Sequence, residues 1–267
     1  VLGDISDEPT ETIAAAQPFI DYVADQLSAQ GIERGEVKIA PDMETMAQWL
    51  KEGKVDIFMD SPYPAAIVGE LSESKPILRR WKDGRAEYHT ILFARKDSGI
   101  TQLQDLKGKA IGFEEKFSTS GYLLPFAYLR AAGFTLIPIP DVKFPIPVDR
   151  IGYSFTGDED TTIQWVVSNR VSAGAVSSPA FQSIPENTRA QFTVLAHTQA
   201  VPRHFVLIRP QMEPLLEAEI VKVLVRMEET PAGQSILAEF DRTAQFDPLP
   251  ADASLEPIRK LSQQLPH

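Results

Sequence analysis

Ser118-Thr119-Ser120-Gly121 puts three hydroxyls and a glycine in consecutive positions, just ahead of an apolar run led by Tyr122-Leu123-Leu124. At the start of a helix, hydroxyls and the free N–H groups of the first turn converge on an anion, and glycine permits close approach to the backbone. Phosphate-like oxygens can be held this way without a lysine. Ordinary N-capping accounts for the same residues, because a cap uses only one hydroxyl.

A second polar group, Asp60-Ser61-Pro62-Tyr63, follows the apolar run VDIFM. A carboxylate beside an anion is unfavourable unless the ligand keeps a proton, in which case Asp60 accepts that hydrogen bond. A ligand amine suits it equally, and so does a plain cap or turn role. Tyr88 and His89 form a third candidate pair, of which strand alternation aims only one at a ligand; Tyr88 is the expected one. The run Gly157-Asp158-Glu159-Asp160-Thr161-Thr162 precedes Trp165. Its acids suit the positive end of a helix dipole or the amine of an aminoalkyl ligand. The histidines, His89, His197, His204 and His267, lack the spacing of a metal site, so neither metal nor cofactor is expected. Trp49, Trp81 and Trp165 read as packing residues, with Trp81 in a loop, WKDGR.

Strand ends and helix starts must hold these groups. VLGDISDEP reads as a short strand running into a turn, Pro18 as the start of a helix carrying Phe19, Tyr22, Val23 and Leu27, and Gly31 as its end. A strand ending near Ala40, a helix with Met43, Met46, Ala47 and Leu50 that stops at Gly53, and a strand over residues 55–59 follow. The alternation continues with a strand over 88–94, a short helix at Leu103 and Leu106, a strand over 109–113, the helix after residue 121, and a strand over 135–139. PIPDVKFPIP is too rich in proline for either element and reads as a surface excursion. Strands at 192–196 and in HFVLIRP, a helix over 214–228 and a final helix from Thr230-Pro231 close the chain. This pattern predicts an α/β fold of mixed, mostly parallel sheets with helices on both faces.

QWLKEGKVDIFMDS, residues 48–61, matches QWVVSNRVSAGAVS, residues 164–177, at a constant offset of 116. Gly53 and Asn169, which both tolerate left-handed backbone, share the helix-ending position, and Ser61 and Ser177 share the strand end. The echo predicts two lobes of similar topology, residues 1–95 with 197–267 and residues 96–196, hinged where the chain crosses near 94–96 and 195–198.

The 267 residues, 43% of them hydrophobic, exclude a disordered chain and suffice for two such lobes. With 26 basic against 37 acidic residues, a net charge of -11 and no basic run, nucleic acid and anionic membrane surfaces are excluded as expected partners. Lack of cysteine rules out disulfides and thiolate chemistry. No stretch reaches the roughly 18 apolar residues of a spanning helix. The sequence starts at Val1-Leu2-Gly3 without a leader, so an exported chain is expected to have lost one.

APDMETMAQWLKEGKVDIFM, YHTILFARKDSGITQLQDLKGK and STSGYLLP, joined by GDEDTTIQWVVSNRVSAGAV and TPAGQSILAEF, resemble the periplasmic phosphonate, phosphite and phosphate binding proteins of ABC importers across nearly the whole chain. The resemblance implies a two-lobed, type II periplasmic-binding-protein fold, a small oxyanion in the interlobe cleft and delivery to a cognate ABC permease. It carries the family's anion-binding segment onto Ser118, Thr119 and Ser120, and its cleft tyrosine onto Tyr88. Two positions depart. Asp60 stands where phosphonate binders commonly have a tyrosine, and Asp158-Glu159 where they have a histidine followed by an acid. Both departures shift the expectation from aminoalkylphosphonates toward protonated phosphate, phosphite or an unrelated substrate.

The expected protein is a monomeric solute-binding component, periplasmic or otherwise extracytoplasmic, with room for a lipid anchor on its precursor. It closes on a small phosphorus oxyanion without a covalent step. A ligand-sensing module of a membrane receptor, an iron-binding protein using tyrosines and His89, and a hydrolase are the competing readings. No serine elbow, paired metal motif or activated cysteine supports a reaction.

Overall fold

The computed structural model describes residues 1–6, 8–250 and 253–266. Its elements begin with β1 (Leu2–Ile5), α1 (Pro9–Gln26), β2 (Val37–Ala40), α2 (Met43–Lys51), β3 (Ile57–Asp60), α3 (Pro62–Ser72), β4 (Lys75–Lys82) and β5 (Glu87–Tyr88). They continue with β6 (Thr90–Arg95), β7 (Ala110–Phe113), α4 (Leu124–Ala131), β8 (Thr135–Pro138), β9 (Arg150–Phe155), α5 (Glu159–Val167), β10 (Ala173–Ser177), α6 (Ser178–Ser183) and α7 (Glu186–Arg189). The last third holds β11 (Phe192–His197), β12 (Val201–Pro202), β13 (His204–Ile208), α8 (Pro214–Arg226), α9 (Pro231–Glu239), β14 (Thr243–Pro248) and α10 (Glu256–Ser262).

The chain divides into two compact units, Val1–Glu87 with Pro202–Arg259 and Tyr88–Val201 with Lys260–His267. Each holds one six-stranded sheet, ordered β14-β4-β13-β3-β1-β2 in the first and β11-β6-β10-β7-β9-β8 in the second. The crossing segments pair with each other as β5 and β12. Both sheets are mixed and follow one plan. In the first, β2, β1 and β3 run parallel and β13 lies antiparallel beside β3. In the second, β9, β7 and β10 run parallel and β6 lies antiparallel beside β10.

The sequence echo is visible atom by atom. Asp42 caps α2 by accepting the Thr45 N–H at 2.7 Å, and Asp158 caps α5 by accepting the Thr161 N–H at 2.6 Å. Past each helix the N–H groups of Lys54 and Arg170 donate to the carbonyls of Trp49 and Trp165, both at 2.8 Å. That turn needs left-handed backbone, which Gly53 (φ 69°) and Asn169 (φ 57°) supply. Ser61 and Ser177 then sit at the N-caps of α3 and α6.

Alternating side chains cover both faces of each sheet. In the first unit Phe19, Ile20 and Val23 of α1 join Leu224 and Phe240 over one face, with the Phe19 and Phe240 rings stacked at 4.2 Å. A Cβ on Gly3 would meet Met46 Sδ at 2.6 Å, so α2 lies directly on β1. In the second unit Leu92 and Ile111 face a core with Phe126 and Leu129, whereas Ile91 and Phe93 face Ile163 and Val166.

Several elements differ from the periodicity. α1 starts at Pro9, where a missing N–H costs nothing, and Pro18 lies inside it; burial of Ala16, Phe19, Ile20 and Val23 keeps that segment helical. Trp81 belongs to β4, a strand masked by Arg79, Arg80 and Lys82, and not to a loop. β9 and β14 carry no clear alternation, and α10 rather than α9 is the last helix. β6 pairs with β10 and β11, so residues 88–95 lie in the second unit; the chain crosses at 87/88 and 201/202, ahead of 94–96 and after 195–198, and a third time at 259/260, so its end does not stay with the first unit. Residues 139–149 form no regular element, as their prolines predict.

Nothing lies closer than 4.0 Å to a Cβ placed on Gly53, so a side chain there costs backbone energy alone. Gly53→Ala is expected to lower stability by about 1 kcal/mol in urea unfolding, and Asn169→Gly to leave it unchanged or slightly raised.

Candidate functional site

β7 delivers Glu114 to the carboxyl end of its strand, and the chain returns at Ser118 to open a π-helical turn, Thr119–Leu123, that runs into α4. Ser118 Oγ accepts the Gly121 N–H at 2.8 Å and donates its proton to Glu114 Oε2 at 2.6 Å. The Gly121 carbonyl accepts the Glu114 N–H at 3.1 Å. A Cβ on Gly121 would lie 2.3 Å from Glu114 Cβ, so this close approach demands glycine. Thr119 and Ser120 are buried, and the Ser120 carbonyl accepts the Thr90 hydroxyl at 2.7 Å. Tyr122 anchors the turn, its ring 5.5 Å from Phe113 and 4.9 Å from Phe155.

Glu159, in the first turn of α5, accepts the Ser177 N–H at 2.5 Å and the Ser177 hydroxyl at 3.1 Å. Asp158 caps its own helix, taking the Thr161 N–H and hydroxyl at 2.6 and 2.7 Å. Burial first, then the Glu159 charge, push the Glu114 carboxyl up to about 7, against the Ser118 hydroxyl that stabilises its ionised form. Ser118 and Gly121 thus contact Glu114, and the charges of Glu159 and Asp158 act on it, a residue that motif reading passed over. Its only signal was the EEKF loop directly after a strand. Tyr88 is buried in β5. The His89 backbone N–H donates to Ser178 Oγ at 3.3 Å, and its ring Nε2 stands 3.1 Å from His197 Nδ1. Burial, then the His197 charge, lower its pKa.

In the first unit, Asp60 ends β3 with its Oδ1 accepting the Ser61 N–H at 2.5 Å, and Ser61 and Tyr63 follow at the start of α3. Burial lifts the Asp60 carboxyl to about 6, tempered by that N–H and then by Arg80 and Lys82. Asp4, at the same strand edge, rises to about 7 through burial and then the Asp60 charge. Burial also raises the Tyr63 hydroxyl. Arg80 is fixed by donating to Thr243 Oγ1 at 2.8 Å and to Asp241 Oδ2 at 3.0 Å, with its guanidinium 4.5 Å from the Phe240 ring centroid. It also lies 3.2 Å from His204 Nδ1. Guanidinium only donates, so Nδ1 accepts; burial and the surrounding cations hold His204 neutral. Asp4, Arg80, His204 and Asp241 were not foreseen, because their grouping depends on the unpredicted β4 and β14.

A family model for the periplasmic substrate-binding proteins of phosphonate ABC transporters matches residues 5–253. The chain belongs to this family. Its members are extracytoplasmic binding proteins and not enzymes, and the fold is their two-lobed type II α/β fold. XAC2383 from Xanthomonas citri, in a structure bound to chloride ion, is 27% identical with a TM-score of 0.91, over 99% of this chain and 98% of that one. A structure of XAC2383 bound to ATP is also 27% identical, with a TM-score of 0.90 over 98% and 96% of the two chains. The tetrathionate sensor histidine kinase TtrS of Salmonella typhimurium is 32% identical over 126 residues, 44% of this chain; the match spans 20% of that protein's length.

Glu114 binds its proton more tightly folded than unfolded, so its contribution to stability is complete below its ordinary value of 4.5 and is lost as pH rises through about 7. Thermal unfolding should show Glu114→Gln gaining roughly 2–4 °C on the wild type at about pH 8.5 and gaining nothing at about pH 4.5.

Proposed function

We propose that this phosphonate-binding-family protein is the solute-binding component of an ABC importer and takes a small phosphorus oxyanion, such as phosphate, phosphite or a phosphonate, at residues 118–121. The observation that carries this reading is the hydroxyl-bearing turn after β7, where Ser118 donates to the Glu114 carboxylate and Gly121 lets that carboxylate lie close to the backbone, within a chain matched to the family over residues 5–253. Thr119, Ser120, Tyr88, His89, Asp158 and Glu159 belong to the same unit and are its further candidates. Asp60, Ser61 and Tyr63 are the first unit's candidates. Asp60 favours a ligand that keeps a proton, since a carboxylate accepts that proton and repels a fully ionised anion. Sulfate should therefore bind poorly.

The TtrS match favours a second reading, a sensing module presented to a membrane receptor. Isothermal titration with phosphate, phosphite, methylphosphonate, 2-aminoethylphosphonate, ATP, tetrathionate and sulfate separates the two. Transport binding predicts one phosphorus oxyanion at a single site, weakened about tenfold or more in Ser118→Ala/Thr119→Ala. Heat from tetrathionate alone would support sensing, and silence across all ligands would contradict the oxyanion reading. Asp60→Asn is expected to narrow the gap between phosphate and sulfate, measured as the ratio of their Kd values.

A further inference from the structure

Ser118 has one hydroxyl proton and therefore one hydrogen bond to give. That bond goes to Glu114 Oε2 at 2.6 Å, while the Ser118 oxygen is engaged by the Gly121 N–H. A ligand oxygen that takes the Ser118 proton must displace the carboxylate. Glu114 then stays beside the turn, because its backbone is fixed. Its N–H is tied to the Gly121 carbonyl, its own carbonyl accepts the N–H groups of Thr156 and Gly157 at 3.2 and 3.0 Å, and its side chain packs over Gly121.

We propose that Glu114 is a specificity residue of the Ser118-to-Gly121 turn, a resident carboxylate that competes with the ligand for the Ser118 proton, so that an oxyanion binds there together with one additional proton taken up by Glu114. The inference rests on the oxyanion reading of this turn. The groups that act on Glu114 are acidic: Glu159 and Asp158 from α5 and its neighbour Glu115. With Ser118 as their polar companion, they leave an incoming anion facing concentrated negative charge unless a proton arrives with it. Protonated Glu114 no longer needs the Ser118 bond, and its own O–H becomes a donor to the ligand. Binding and protonation then favour each other by linkage. The carboxyl is already poised near neutrality, at about 7. A one-proton requirement at that value weakens binding about tenfold between about pH 6 and pH 8.

The test is calorimetric titration of wild type and Glu114→Gln with phosphate, phosphite and methylphosphonate from about pH 5.5 to 8.5, each in two buffers of different ionisation enthalpy. Comparison of the two proteins on one ligand cancels the ligand's own titration. The proposal expects wild type to take up more protons than the variant, and the ratio of the wild-type Kd to the variant Kd to rise about tenfold from about pH 6 to pH 8. Proton uptake by wild type is read without any substitution, so a variant that fails to fold leaves the test intact. Equal pH profiles and equal uptake in the two proteins overturn the gate and leave oxyanion binding standing. Affinity that rises with pH in wild type and collapses in Glu114→Gln overturns it in favour of a ligand cation on Glu114. No binding by either protein at any pH overturns the oxyanion reading and the gate with it.

Discussion

Parallel strands deliver their carboxyl ends to one edge of a sheet, and each polar group gathered there must find a partner before the edge can be packed. In the second unit, β7 ends just before Glu114 and β10 ends on Ser177. Their partners are reciprocal: Ser118 donates to Glu114, and Ser177 donates to Glu159. The hydroxyl-rich turn that suits an anion is thus stabilised by carboxylates of the chain itself. Gly121 is part of the same constraint, since any side chain there would collide with Glu114.

The first unit meets the constraint with cations. Asp4 and Asp60 crowd one strand edge; Arg80 moderates both and Lys82 moderates Asp60, while Asp241 holds the two cations in place, at 3.0 and 2.6 Å. Arg80 is almost wholly buried and uses its donors on Thr243, Asp241 and the His204 ring. A buried charge of this kind persists only because its partners are fixed. Each unit thus holds carboxylates lifted toward neutrality by burial.

The duplicated plan was legible because it is local. A capping aspartate, a helix ending in Gln-Trp plus three residues, a left-handed residue and a short strand recur at a fixed offset, and each step is set by neighbours in sequence. Residues 118–121 were legible for the same reason, as hydroxyls before an apolar helix. Glu114 and the Arg80 group were not. Glu114 meets Ser118 across three intervening residues, and Arg80 meets His204 only after β4 pairs with β13 and Asp241 only after β4 pairs with β14. Pro18 misled because buried contacts of α1 outweigh a local cost that the sequence shows plainly.

The most direct measurement is a crystal structure of the chain grown with methylphosphonate. The account predicts a phosphonate oxygen within hydrogen-bonding distance of Ser118 Oγ, in the place now held by Glu114 Oε2, and the backbone N–H groups of the turn directed at the ligand. A methylphosphonate bound elsewhere, with Glu114 still accepting from Ser118, would contradict it.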